Sequence, residues 1–123
     1  MAKASIDFNA ADIAAQAEEA GPPELDALPY GVIKLDPRCR VTFFSKTEAR
    51  LSGHNVPLGQ NLFDYSPCPN REELRAQIKR AKENAPADLE LAWVGDLNDP
   101  TREMRIRVQS ARDGGVWMFI ERD

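Results

Sequence analysis

Few side chains in this 123-residue chain are equipped for chemistry: Cys39, Cys68, the single histidine His54, and one well-placed carboxylate, Glu48. Cys68 stands in Asp64-Tyr65-Ser66-Pro67-Cys68-Pro69. The two flanking prolines remove amide donors and fix φ, so this cysteine is not inside a helix or a central strand. A thiol in such a loop can pair, ligate a metal, act as a nucleophile, carry a covalent group, or simply pack as a small hydrophobe. The two cysteines form no CxxC motif, and nothing at the start of the chain reads as an export signal, so a Cys39–Cys68 disulfide is not expected. A zinc site would need both cysteines and His54, which are widely spaced with no local ligand pair. A hydrolase or transferase built on Cys68 would have only His54 as base, in no recognisable motif. The expectation is therefore a protein without catalytic turnover.

Glu48 has two readings. It stands three residues after Ser45, the spacing of a capping box, in which its carboxylate would stay exposed. Alternatively the carboxylate is buried, where desolvation beside another anion would keep it neutral. The two roles compete for one group on a short helix, and burial is the favoured reading.

Composition bounds the rest. With 42% hydrophobic and 29% charged residues, the chain is an ordinary globular domain large enough for its own core. Twenty acids against 16 bases give a net charge of −4 and no basic stripe, which argues against nucleic acid or an anionic membrane as partner. No apolar stretch reaches transmembrane length, and the expected location is cytoplasmic.

The elements that must position these residues read as follows. An alanine-rich segment ending at Gly21-Pro22-Pro23 predicts a short helix, capped by Asp7 or Asn9, lying as a lid on a larger body. Tyr30–Leu35 and Arg40–Phe44 form a hairpin about Asp36-Pro37-Arg38-Cys39. Ser45–Ser52 is a short helix closed by Gly53. A longer helix starts at Asn70, with Leu74, Ile78 and Ala81 on its buried face and Lys79, Arg80 and Lys82 on a solvated one. Three alternating segments follow: Leu89-Leu91-Trp93, Met104-Ile106-Val108, and Val116–Ile120 after the Asp113-Gly114-Gly115 turn. Trp93 and Trp117 are expected to pack on the sheet. The order gives an α+β fold: a five-stranded antiparallel sheet with short helices on one face and an N-terminal helical cap, the plan of a PAS domain.

From Leu25 onward the chain resembles the photoactive yellow protein family of blue-light receptors. The resemblance rests on Leu25-Asp26-Ala27-Leu28-Pro29-Tyr30-Gly31-Val32-Ile33-Lys34-Leu35-Asp36, then Glu48, Gly53, Gly59, Asn61, Phe63, Pro67-Cys68, and Trp117–Arg122. It covers about a hundred residues and implies a cap over residues 1–24 and a PAS-like sensor domain over 25–123. It further implies a 4-hydroxycinnamoyl (p-coumaric acid) chromophore, thioester-linked to Cys68 and buried as a phenolate among Ile33, Phe44, Glu48, Ser52, His54 and Pro67. In the family, a tyrosine and a neutral glutamic acid donate hydrogen bonds to that phenolate, and light drives isomerisation followed by proton transfer from the glutamic acid. Glu48 falls on the glutamic acid.

This chain departs from that pattern. The tyrosine position is Phe44, which cannot donate, and losing a bond to a charged acceptor costs about 1.5–3 kcal/mol. The supporting threonine becomes Ser52, and the arginine over the ring becomes His54. The loop before Cys68 is shorter, and the segment about Asp96-Leu97-Asn98 lacks the family's aromatic and methionine. A less stabilised phenolate is the expected result, mixed with a protonated, bluer form. The competing reading is a chromophore-free PAS module that binds a partner, dimerises or senses another small ligand. Either way, the expected partner is a downstream signalling protein, and the chain itself is a monomer or weak homodimer.

Overall fold

The computed structural model describes residues 6–53, 58–62, 71–84, 86–94 and 101–122. Its elements are α1 (Ile13–Glu19), α2 (Pro22–Asp26), β1 (Gly31–Leu35), β2 (Val41–Phe44), α3 (Lys46–Ser52), α4 (Arg71–Glu83), β3 (Asp88–Val94), β4 (Glu103–Ser110) and β5 (Val116–Arg122). The five strands form one antiparallel sheet in the order β2-β1-β5-β4-β3, as a PAS fold requires. No helix among the described residues is long and apolar enough to cross a membrane.

Strand alternation sorts the side chains onto two faces. Ile33 and Leu35 of β1, Val41 of β2, Met104, Ile106 and Val108 of β4, and Val116, Met118 and Ile120 of β5 join one buried cluster. Leu74, Ile78 and Ala81 of α4 close it, as their helical spacing predicts. Val32, Trp117 and Phe119 point the other way, into a second cluster with Phe8, Ile13, Ala14, Ala17, Leu25, Leu28 and Tyr30. This explains why Val116–Ile120 is almost uniformly apolar: β5 is central and covered on both sides.

The N-terminal cap is more than a lid. Its apolar residues are part of a core, and polar groups on the sheet tie it down. Arg107, buried on β4, donates from Nη1 to the carbonyls of Phe8 and Ala10, at 2.7 Å each. Gln109 accepts from the Ala14 amide at 2.8 Å and donates to the Ala11 carbonyl at 2.9 Å. The Tyr30 hydroxyl donates to the Ile6 carbonyl at 2.8 Å. Burial, reinforced by the Asp7 carboxylate, raises the Tyr30 phenol well above its ordinary value. Helix α1 starts after Asp12, not after Asp7 or Asn9, and no side chain caps it. Pro22-Pro23 ends one helix as expected and also opens another, since proline suits the first turn of α2.

One expectation about α4 needs adjustment. Lys82 is not on a purely solvated face: its Nζ donates to the Pro37 carbonyl at 2.8 Å and to Cys39 Sγ at 3.3 Å, fastening α4 to the β1–β2 turn. Cys39 is a free thiol at φ 63°, partly buried against the core. The Asn70 cap, the turn at 98–100 and the Trp93 side chain lie outside the description.

Candidate functional site

The site is organised by Ser45. Its hydroxyl is fully buried and accepts from two amides, Glu48 at 3.1 Å and Val32 at 3.0 Å. Its own amide donates to the Val32 carbonyl at 2.9 Å. Only one half of the capping box therefore forms: Ser45 caps α3, but β1 already takes the Ser45 amide that the Glu48 carboxylate would otherwise receive. The carboxylate is released from capping and turns inward. At the other end Gly53, at φ 73°, stops the helix in the left-handed conformation that glycine adopts without strain.

Glu48 is buried, as favoured, and lies against Gly31 of β1. A Cβ at position 31 would overlap Glu48 Oε1, so glycine there makes room for the acid. Ser52 is buried one helical turn further along the same face of α3. Phe44 stands opposite Ile33 in the β1–β2 register, and both pack in the helix-side cluster. The structure thus brings Ile33, Phe44, Glu48 and Ser52 to one side of the sheet. Cys68, Pro67 and His54 lie outside the described residues.

A residue not singled out from the sequence completes this arrangement. Arg122, the last residue of β5, donates from Nη1 to Glu48 Oε1 and from Nη2 to Glu48 Oε2, both at 2.8 Å. The two side chains are only 4% and 5% exposed. Such fork-to-fork pairing is the strong geometry for guanidinium and carboxylate, and it stabilises the charged form of both. The expectation of a neutral, desolvated Glu48 thus meets a guanidinium in direct contact with the carboxylate. One signal was present in the sequence: Arg122 extends the inward-facing series Val116, Met118, Ile120, and an arginine at such a position needs an anion.

No protein-family model matches the chain. It is 25% identical to the photoactive yellow protein of Rhodothalassium salexigens over 121 residues, spanning 95% of this chain and 97% of that one. It is 22% identical to that of Rhodobacter capsulatus over 105 residues, 82% and 85% of the two chains. The photoactive yellow protein domain of the sensor histidine kinase Ppr from Rhodospirillum centenum matches with a TM-score of 0.71 at 27% identity, covering 86% of this chain and 96% of that one. The chain is a divergent, photoactive yellow protein-like PAS domain. A PAS domain of an HTR-like protein from Haloarcula marismortui shares the fold at only 8% identity, with a TM-score of 0.64.

Within this PAS domain the helix-side face has a distinct chemical layout. The sheet offers an apolar bed of Ile33, Phe44, Met118 and Ile120, and the buried Glu48–Arg122 ion pair stands where β1 begins and β5 ends. A flat, apolar group with one hydroxyl terminus suits such a surface: carbon skeleton against the bed, hydroxyl toward the pair. A 4-hydroxycinnamoyl group has that form, and among the described residues Ile33, Phe44 and Glu48 are of the types that would hold it.

Proposed function

We propose that this domain is a light sensor that carries a 4-hydroxycinnamoyl group as a thioester on Cys68. The observation that supports this most is the buried polar end, Glu48 with Arg122, on the same sheet face as Ile33 and Phe44. It occurs in a chain similar to photoactive yellow proteins along nearly its whole length. When bound, the group supplies blue-light absorption and an isomerisable double bond. The protein's part is to hold the acyl group on the Cys68 sulfur, seat the ring on the apolar bed and exclude water with α3 and α4. Glu48 is the residue that exchanges a proton with the hydroxyl end, and Ser45 and Gly31 fix its position. A change in the charge of Glu48 leaves Arg122 with an altered partner inside the core, and that imbalance is the conformational signal. The reading takes residues 1–24 as the cap and 25–123 as the sensor body, a receptor without turnover that passes its signal to a downstream protein.

A second reading is favoured by the same ion pair. Glu48 and Arg122 hold one another through two hydrogen bonds, an arrangement that a PAS module without the chromophore would also use. Such a module would bind a partner, dimerise or take another small ligand. Incubating purified protein with an activated thioester of 4-hydroxycinnamic acid separates the two. Under the first reading the Cys68 thiol displaces the precursor's thiol, the mass rises by one acyl group, a light-bleachable band develops, and Cys68→Ala shows neither. No mass increase in the unsubstituted protein would favour the second.

A further inference from the structure

β3 is the last strand of the sheet: β4 lies on one side of it, and among the described residues no strand pairs with its other edge. Sheet edges are usually guarded by a proline, a bulge, a short length or projecting charges. β3 has little of this protection. It runs for 7 residues, Asp88–Val94, without proline or glycine, and its register with β4 advances one residue at a time from end to end. Its two acids are drawn back across the sheet. Arg107 donates to Asp88 Oδ1 at 3.2 Å, and Arg105 donates to Glu90 Oε2 at 3.1 Å. On the same face Ala92 is exposed, and Val94 is an apolar side chain left 57% exposed. On the other face Leu89 and Leu91 are half-buried at the rim of the helix-side core.

We infer that this edge pairs with the same edge of a second copy of the chain, antiparallel and centred on Leu91. A two-fold axis normal to the sheet keeps each face on its own side, so only residues of equal parity can stand opposite one another. Centred on Leu91, the whole of β3 is paired: Leu91 meets its own symmetry mate, Glu90 meets Ala92, and Asp88 meets Val94. Every carboxylate then stands opposite an apolar residue and keeps the arginine of its own chain. Centring on Glu90 would oppose two like charges, which is destabilising, and centring on Ala92 would leave Asp88 and Leu89 unpaired. The pairing joins two five-stranded sheets into one continuous sheet, with both caps on one side and both α4 helices on the other. An edge-to-edge contact is small, so the dimer is weak and reversible. It needs no ligand and does not rest on the proposed function.

The test follows the mass of the full chain by sedimentation from about 10 μM to about 1 mM, the range in which a weak dimer dissociates, with amide hydrogen exchange at both ends of that range. Wild type should gain dimer with concentration, and the β3 amides facing away from β4 should become about ten-fold more protected. Position 92 then tests the register. Ala92→Lys sets an ammonium opposite Glu90 of the second copy and should leave the dimer as tight or tighter, although it faces Arg105 of its own chain as a like charge. Ala92→Glu sets a carboxylate opposite that Glu90 and should weaken the dimer about five-fold or more, since the symmetry counts each change twice. Within its own chain the same carboxylate faces Arg105 favourably. The effects on the single chain therefore run opposite to those on the pair, and urea midpoints of the dilute proteins separate the two. A chain still monomeric at about 1 mM, protection that rises elsewhere but not on β3, or equal weakening by both substitutions would overturn the proposal. The wild-type exchange data decide the edge even where a variant fails to fold.

Discussion

Gly31→Ala adds a single methyl group at the most constrained point of the candidate site. Gly31 does not use a positive φ, so alanine is compatible with the backbone there. Taken alone, the substitution should stabilise the protein by about 0.4–1 kcal/mol, by restricting the unfolded chain. The obstacle is Glu48, whose Oε1, Cδ and Cβ all lie in the space the new methyl would enter. A flexible carboxylate could swing aside, but both its oxygens are held by Arg122, and Ser45 fixes the helix that carries it. Displacing it breaks a buried ion pair, a loss of about 3–5 kcal/mol when one partner is removed. The net expectation is a destabilisation of about 2–4 kcal/mol, measured as a lowered urea midpoint at unchanged m-value. The same methyl in a Glu48→Ala background meets no carboxylate, only the position-48 Cβ at 3.1 Å, so Gly31→Ala should there cost much less than in wild type. That non-additivity separates a specific clash from general damage to β1. If Gly31→Ala is as stable as wild type, or equally harmful in both backgrounds, the account of Gly31 as the seat of the acid is wrong.

Three further outcomes are expected. Ser45→Ala removes the acceptor for two buried amides, Val32 and Glu48, and should destabilise by about 2–3 kcal/mol in denaturant titrations; a loss under ~0.5 kcal/mol would contradict its organising role. Arg107→Met deletes two 2.7 Å bonds to the Phe8 and Ala10 carbonyls and should cost about 2–4 kcal/mol, with protease cleavage appearing first within the cap; unchanged cleavage kinetics would contradict the anchoring. Burial pushes the Asp113 carboxyl up, but the Lys34 ammonium and the Gly115 amide outweigh it and hold the group below the ordinary range. Its folded value is lowered, so its stabilisation is present above the ordinary carboxyl value of about 4 and is lost as pH falls through the folded value. Asp113→Asn should therefore lower Tm above about pH 5, where the charge is stabilising, and flatten the acid limb, so that the variant and wild-type Tm-versus-pH curves converge as pH falls.

How far the sequence reached depended on the range of the interaction that decided each feature. Strand alternation and the Leu74-Ile78-Ala81 spacing are local patterns, and both fell on the buried faces they indicated. The Ser45–Glu48 spacing was read correctly as a cap, yet its completion turned on Val32, thirteen residues upstream, whose carbonyl takes the Ser45 amide. No local pattern encodes that competition, although it is what turns the carboxylate inward. The same holds for Lys82, which looked solvated because its partners, Pro37 and Cys39, are far away in the chain.

The Arg122–Glu48 pair joins residues 74 positions apart and was the hardest to foresee. Its two halves were each visible: an acid next to a glycine strand, and an arginine continuing an inward apolar series. Missing was a reason to connect them, because no local pattern links α3 to the end of β5. Phe44 supplies the reason in retrospect. A site lacking the tyrosine hydroxyl has lost one neutral donor, and here a buried cation stands at the same end of the sheet, already matched by its own anion. On the proposed function, the phenylalanine on β2 and the charge pair between α3 and β5 act on the same end of the ligand. A loaded chromophore should therefore respond to a Phe44→Tyr substitution, which adds a donor, by ionising at a lower pH than in wild type, and an unchanged titration would contradict that reading.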